Sequence, residues 1–217
     1  MNFLFSSIGR KIQIAISGLF FAIFLFFHLL NNLVLFAGEE AFNQMVGFLE
    51  SIKPIIRIME FGLLGMLLMH VINAFITSYQ NKKASAGKYA VSAKPATASL
   101  NSRTMLISGS IILSFFIIHL RFLWYTFQIT TDHNYFQILL QNKAGYLGHL
   151  PTSIFYIIAI SFISFHLKHG FLSSFKSLGF PTKLIKGPLA ILAFLFWGII
   201  PMLFILIIVC IQIGYIN

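Results

Sequence analysis

Charged residues and cysteine are scarce in this chain of 217 residues. Aspartate, glutamate, lysine and arginine make up 9% of it, whereas a soluble domain carries about 25%. The single cysteine, Cys210, has no second thiol in the chain with which to form a disulfide. One cysteine is also too few for an iron–sulfur cluster, which needs roughly four protein ligands. These absences exclude a disulfide scaffold and a cluster held by this chain alone.

Apolar residues are abundant instead. They account for 58% of the chain, and phenylalanine alone contributes 26 residues. A water-soluble globule cannot bury that much apolar surface, so the composition excludes a cytosolic enzyme and a disordered tail. A net charge of +10 would suggest nucleic acid in a soluble protein. Here the basic residues flank apolar segments, which membrane orientation explains, and we expect no nucleic-acid partner.

Five apolar segments are each long enough to cross a bilayer, whose hydrocarbon core of about 30 Å needs about 20 helical residues. The sequence predicts them at Ile12–Ala37, Ile55–Gln80, Met105–Ile129, Leu150–Ser174 and Pro188–Ile216. The first is too long for the apolar region of a signal peptide, so we expect it to be retained. The link Asn81–Thr104 is the longest polar one, and we expect it to be mobile. The prediction is an all-α membrane protein with five transmembrane helices and a single domain over residues 1–217.

The charges are distributed unequally between the two sides of these segments. One side holds all five acids and few bases, namely Glu39, Glu40, Glu50, Glu60 and Asp132 beside Lys53, Arg57, Arg121 and Lys143. The other side holds only bases, namely Arg10, Lys11, Lys82, Lys83, Lys88, Lys94, Arg103, Lys168, Lys176, Lys183 and Lys186. Because basic residues favour the cytoplasmic side, we predict a cytoplasmic N-terminus and an outer C-terminus in the inner (cytoplasmic) membrane of a cell.

Each of the first four segments carries one histidine at membrane depth, and these are His28, His70, His119 and His166. An ionisable side chain there costs several kcal/mol unless something compensates it. Counting residues from the cytoplasmic flank places His28 and His119 about 25 Å deep, and His70 and His166 about 15 to 18 Å deep. The depths therefore predict two histidine pairs at two levels.

Paired neutral imidazoles on facing helices are the axial ligands that haem b takes. The first four helices are therefore predicted to form a haem-binding bundle, with an outer site from His28 and His119 and an inner site from His70 and His166. Three alternatives stay open: histidines that only bond neighbouring helices, a proton-coupled transporter with a histidine relay, and a structural anchor that has lost a haem. The small residues near the histidines, such as Gly62 and Gly65, suit either a cofactor or close helix packing.

Four groups of residues along the chain form recognisable motifs. They are Ser6–Lys11, His28–Asn32 leading to Phe36–Asn43, His119–Leu120 followed by Phe122 and Trp124, and His166–Gly170 running to Ser177–Gly179. Together they cover nearly the whole chain and resemble the di-haem cytochrome b anchor of succinate:quinone oxidoreductases. The resemblance implies a membrane anchor of succinate dehydrogenase, the respiratory enzyme of the tricarboxylic acid cycle. Its cytoplasmic face would bind a flavoprotein subunit and an iron–sulfur subunit.

The resemblance also implies roles for the histidines. His28 and His119 match the ligands of the outer haem iron, and His70 and His166 match those of the inner haem iron. His169 is assigned a secondary role, binding a propionate or lining the surface near the iron–sulfur partner. Electrons would pass from that partner through two b haems to a membrane quinone, expected to be menaquinone. The chain has no dinucleotide-binding loop, so the dicarboxylate active site lies in a partner subunit.

The direction of the reaction has two readings. The residues of the motifs are closer to those of succinate-oxidising anchors, and the alternative is a quinol:fumarate reductase anchor. Glu50 is the expected proton donor of a quinone site, because it lies on the outer side at the spacing after His28 where di-haem fumarate reductases carry a carboxylate. The alternative for Glu50 is a solvated loop glutamate.

Other polar residues have simpler expected roles. Arg121 is predicted either to bind a propionate of the outer haem or to reach the outer headgroups. Arg57 and Glu60, on one helical face, predict an exposed or interfacial ion pair of modest energy. Pro201 predicts a kink in the fifth helix. The same choice between propionate binding and surface anchoring applies to Arg10, Lys11 and Lys168, and His133 and His149 are expected to be solvated, with proton shuttling as the alternative.

Overall fold

A computed structural model describes residues 3–85 and 100–217. Within those ranges the chain is almost wholly helical and has no β-strand. The α-helices are α1 (Ser7–Leu33), α2 (Glu39–Ser51), α3 (Lys53–Ser85), α4 (Leu100–His119), α5 (Tyr125–Ile129), α6 (Tyr135–Leu140), α7 (Leu150–Ser177), α8 (Thr182–Lys186), α9 (Pro188–Phe194) and α10 (Ile200–Gln212). Two π-helical turns, Leu120–Trp124 and Leu195–Ile199, join α4 to α5 and α9 to α10.

Five helical stretches are long and apolar enough to cross a membrane. They are Ser7–Ala37, Lys53–Lys83, Thr104–Ile129, Leu150–Ser177 and Pro188–Gln212, called spans 1 to 5 below. Each coincides with one predicted segment, so the predicted all-α, multi-pass membrane architecture is confirmed. Most of the predicted mobile link Asn81–Thr104, including Lys88 and Lys94, lies outside the described residues.

Local sequence explains where several of these helices begin. The hydroxyl of Ser6 accepts a hydrogen bond from the backbone N–H of Gly9 at 3.0 Å, which caps the first turn of α1. Helix α7 begins with Pro151 in its first turn, where the missing N–H costs no helical bond. Pro188 has the same place in α9.

The first four spans form a ring around a common interior. Helix α1 packs along α3 on one side and along α7 on the other, and α7 packs along α4. Helix α3 meets α4 at few points, so the ring is tight on three sides and loose on the fourth. Span 5 lies outside the ring against α7 and α1. Helices α1 and α4 are therefore diagonal partners, as are α3 and α7.

One end of the bundle, here called the acidic end, carries α2, α6 and the segment before α7. All five acidic residues lie in α2, in the first turns of α3 or in the link that precedes α6. Helix α2 follows Gly38, whose φ of +91° favours glycine, and it packs on α6. Tyr135 and Phe136 of α6 are 1% exposed, so this end has its own apolar core. The opposite end is called the basic end.

Span 5 is interrupted immediately before Pro201. Proline has no N–H, so the carbonyl of Trp197, four residues earlier, loses its helical partner. The chain forms a π-helical turn there, in which the N–H of Ile200 donates to the carbonyl of Leu195. The hydroxyl of Ser164 on α7 donates to the freed Trp197 carbonyl. A local change of helix type thus precedes Pro201, and a neighbouring side chain satisfies the carbonyl.

The Ser164→Ala substitution should destabilise the protein by about 1 to 3 kcal/mol, because it leaves the Trp197 carbonyl without a donor inside the membrane. Unfolding of the purified protein in detergent measures this loss. Ser161→Ala is the matched control, since the Ser161 hydroxyl donates only to Ile157 of its own helix, at 2.9 Å. Equal losses for the two variants would contradict the role given to Ser164.

Candidate functional site

The four membrane histidines meet as two pairs inside the ring of spans. The ring centres of His28 and His119 are 5.8 Å apart with their planes at 90°, and those of His70 and His166 are 6.5 Å apart at 58°. Each pair joins diagonally opposite helices, α1 with α4 and α3 with α7. These are the pairs that the depth of each histidine predicts.

The separation of the imidazoles suits a metal ion between them. Two imidazoles bound to opposite sides of one ion, with metal–nitrogen bonds of about 2.0 Å, have ring centres about 6 Å apart. Both observed separations lie close to that value. The described residues contain no group of three or more histidine, cysteine or acidic side chains that could hold a metal ion by themselves. An ion between these pairs would therefore need other ligands, which a porphyrin supplies.

Each histidine of the inner pair is in contact with a serine of its own. The Nδ1 atom of His70 lies 2.9 Å from the Ser17 hydroxyl, and that of His166 lies 3.2 Å from the Ser108 hydroxyl. Each serine donates its own proton to a backbone carbonyl, Ser17 to Gln13 at 2.7 Å and Ser108 to Met105 at 3.0 Å. We therefore assign the imidazole proton to Nδ1, which leaves Nε2 free to bind a metal.

Glycines lie beside the same two rings. A Cβ atom at Gly18 would stand 3.5 Å from His70, and one at Gly109 would stand 3.6 Å from His166. A Cβ atom at Gly62 or Gly65 of α3, in contrast, would meet nothing within 4 Å, so these two glycines do not serve close helix packing among the described residues. Each ring of the inner pair therefore has its Nδ1 atom bonded to a serine and a glycine of a neighbouring helix beside it. This set of donors suits haem b.

The neighbours of the outer pair are aromatic side chains, and no serine among the described residues bonds either imidazole. Phe24 stacks on His28 with ring centres 5.5 Å apart, and Tyr156 lies 6.0 Å from the ring centre of His119. Within the described part of the chain, the Nδ1 atom of His119 and the hydroxyl of Tyr156 are both buried without a hydrogen-bond partner. Two unsatisfied polar atoms at one place are expensive in an apolar interior. A polar ligand group arriving there would lower that cost.

Helix α1 fixes the distance between the two levels. Ser17, which contacts His70, and His28 lie on this helix, and a rise of about 1.5 Å per residue separates them by about 16 Å. The predicted order is therefore retained, with the inner pair nearer the basic end. A π-helical turn follows His119 directly, and such turns are frequent at functional sites.

Polar contacts between α1 and α3 lead from the basic end to His70. Arg10 donates to Gln80 at 2.7 Å, and Asn73 donates to Gln13 at 2.9 Å. Together with the contact between Ser17 and His70, they fix the rotation of α3 on α1. Arg10 thus bonds between helices. His169 is half-buried one turn beyond His166, and Lys168 lies over the ring of Trp197, 4.7 Å from its centre.

Glu50 lies at the acidic end in a cluster with Lys53, His133 and Tyr135. Its carboxylate is 3.1 Å from the Lys53 ammonium and 3.7 Å from the exposed ring of His133. The hydrogen bond from the buried Tyr135, together with Lys53, holds the pKa of the Glu50 carboxyl below its ordinary value. The side chain is 30% exposed, so it has access to water.

Acid should weaken the contacts of α2 through Glu50. A carboxyl whose pKa is lowered by folding contributes stability above its unfolded pKa of about 4.3, and this is lost as the pH falls through the folded value. The side chain is partly exposed, so we expect a contribution under about 1 kcal/mol. Comparing the unfolding of the native chain with that of Glu50→Gln gives this difference at neutral pH, and the difference should shrink as the pH falls through the folded pKa of Glu50. A difference that grows on acidification would contradict this assignment.

Two arginines at the acidic end make defined contacts. The predicted ion pair between Arg57 and Glu60 is confirmed at 2.6 Å, and Glu60 also accepts from the indole N–H of Trp124 at 2.7 Å. The guanidinium of Arg121 is exposed and lies 5.1 Å from the centre of the Tyr125 ring. His149 is half-buried and bonds Thr152 at 2.9 Å, whereas His133 is 75% exposed.

No protein-family model matches the sequence, and no curated protein or solved structure is significantly similar to it. The geometry of the site is therefore the basis for a functional conclusion. Sequence reasoning missed Ser108 as a partner of His166. A serine near a membrane histidine in an apolar segment is the signal that could have found it.

Proposed function

We propose that this protein is the membrane-anchor, electron-transfer subunit of a succinate:quinone oxidoreductase and that it holds two haem b groups. One observation carries the proposal: four histidines from four spans form two diagonal pairs whose ring centres are 5.8 Å and 6.5 Å apart. Histidines that served only to bond helices would have no need of two pairs with this spacing.

The residues of this chain would bind and orient the haems. His28 and His119 would hold the outer haem iron, and His70 and His166 the inner one. Ser17 and Ser108 bond Nδ1 of the inner histidines, which would leave their Nε2 atoms as the ligands of the iron. Haem b, when bound, supplies an iron that takes up and releases single electrons. His169 and Arg121 are proposed as secondary contacts of the cofactors.

Charge supports the proposed orientation and partners. The basic end would face the cytoplasm and bind the flavoprotein and iron–sulfur subunits, which supply the dicarboxylate chemistry that this chain lacks. The membrane quinone, proposed to be menaquinone, would react near the acidic end, where Glu50 has access to water. Glu50 would exchange protons with it, because its carboxylate is ordered by Tyr135 and Lys53 yet remains accessible.

The contacts of Glu50 also suit a second candidate function, the quinol:fumarate reductase anchor. Tyr135 and Lys53 stabilise the ionised carboxylate, which can accept a proton. Oxidation of a quinol releases protons and needs such an acceptor. The rates of the assembled complex with succinate and with fumarate distinguish the two directions.

An optical spectrum of the purified full-length protein tests the proposal. We expect a b-type band in the reduced-minus-oxidised difference spectrum and two haems per chain. A colourless protein whose histidines titrate near neutrality would refute the haem assignment and favour a proton-coupled transporter. A single haem per chain would leave one pair with a structural role.

The Glu50→Gln substitution tests the quinone assignment separately. Glutamine keeps the shape of the side chain but cannot exchange a proton, so we expect quinone turnover to fall while haem content and subunit binding stay normal. Glu40→Gln is the control, because Glu40 is an exposed residue of the same helix α2. Unchanged quinone turnover in Glu50→Gln would refute the role of Glu50.

A further inference from the structure

A pocket of about 670 Å³ opens at the basic end between spans 4 and 5. Its lining includes Leu172 and Lys176 of α7, Phe180 of the following link, Lys186 of α8 and Ala190 of α9. The volume is within the range of ligand sites, about 300 to 1,000 Å³. None of the four paired histidines lines this pocket, so it is not part of the proposed haem sites.

The two lysines of this pocket have no carboxylate near them. The chain has five acidic residues, and all of them are at the acidic end. Lys176 and Lys186 are both exposed and line the same cavity. An anion entering it would therefore meet two cations that no acid of this chain neutralises.

Apart from Thr182, the other residues that line the pocket are apolar, and two of them belong to the spans. Leu172 lies one helical turn inside Lys176 on span 4, and Ala190 lies in the first turn of span 5. Phe180, which is 42% exposed, lies in the link between these two spans. The cavity thus continues from a charged level into the level of acyl chains. Apolar walls would not stabilise a free anion, and a soluble partner could not reach walls at membrane depth.

We infer that this pocket binds one anionic phospholipid, with the headgroup phosphate between Lys176 and Lys186 and the start of an acyl chain against Leu172 and Phe180. Basic pockets between transmembrane helices on the cytoplasmic side bind anionic lipid headgroups, and the basic end is the one proposed above to face the cytoplasm. The phosphate matches the two unneutralised charges, and the apolar walls match the chain below it.

Lipid titration of the full-length protein, stripped of lipid in detergent, tests the proposal. The probes are phosphatidylglycerol, phosphatidylcholine and inorganic phosphate, and native mass spectrometry counts the bound molecules. We expect phosphatidylglycerol to bind about tenfold or more tightly than phosphatidylcholine. The double variant Lys176→Gln/Lys186→Gln should lose that preference.

A second double variant, Lys11→Gln/Lys183→Gln, is the matched control. It removes the same charge from the same end of the bundle, but neither residue lines the pocket. We expect it to keep the preference for phosphatidylglycerol within about twofold. An equal loss in both double variants would mean diffuse attraction to the basic end and would overturn the proposal.

Three further results would also overturn it. Equal binding of phosphatidylcholine would make the pocket an unselective acyl groove, and equal binding of inorganic phosphate would make it a site for a free anion. If Lys176→Gln/Lys186→Gln kept its lipid but lost association with soluble subunits, the pocket would be a protein-docking site. Circular dichroism of each variant checks that it is folded.

Discussion

Under the proposed function, the His166→Ala substitution should lower the haem content from two per chain to one. It removes one imidazole of the inner pair, whose ring centres are 6.5 Å apart, and leaves the iron without an opposing ligand. The outer pair lies about 16 Å away along α1, so its haem should remain. Haem extraction and the difference spectrum measure the loss, and quinone reduction by the assembled complex should stop.

Two other variants make this prediction specific. His133→Ala removes a 75% exposed histidine outside the spans and should leave both haems in place. Ser108→Ala removes only the hydroxyl that orients His166, so we expect the inner haem to bind about 10- to 100-fold more weakly with the outer one unaffected. Two haems per chain in His166→Ala would contradict the inner site, and loss of both haems would mean that the bundle had collapsed.

The Gly148→Ala substitution should destabilise the protein by about 3 kcal/mol. A Cβ atom at this position would collide with the backbone of Leu140 and Gln141. Backbone atoms cannot rotate away as a side chain can, so the segment before α7 would have to shift. Unfolding in detergent, followed by circular dichroism, measures the change.

Gly47→Ala is the matched control for this substitution. Gly47 lies in α2 at the same end of the bundle, and a Cβ atom there would meet no described atom within 4 Å. Alanine favours a helix over glycine by roughly 0.5 to 1 kcal/mol, so this variant should be unchanged or slightly more stable. A similar loss in both variants would show that the close approach at Gly148 does not limit stability.

The spans could be predicted from the sequence because the bilayer sets a minimum length for an apolar helix. The predicted and observed boundaries differ by only a few residues, and span 3 ends at Ile129 in both. Helices α2 and α6 lie between the predicted segments and were not predicted as helices, because α2 is short and partly polar and α6 has only six residues. Neither signal resembles a membrane span. Their order comes from packing on one another, which a sequence pattern does not contain.

The histidine pairs could be predicted because depth along a helix follows from residue counting. The rise per residue is nearly constant, so two histidines at one depth on spans of the same bundle can meet. The orienting serines depend on helix rotation, which counting does not give, and Ser108 was therefore missed. The π-helical turn after His119 was also missed, since it has no proline to mark it.

Span 2 is attached to the rest of the described chain mainly along its edge with α1, and no residue of its most apolar 18-residue stretch is fully buried. During biogenesis this helix should therefore be the last to pack against the other spans. Cofactor insertion between His70 and His166 would tie it to the opposite side of the ring. In cells starved of that cofactor, we expect quality-control proteases to extract span 2 first, so that turnover of the chain reports its loading.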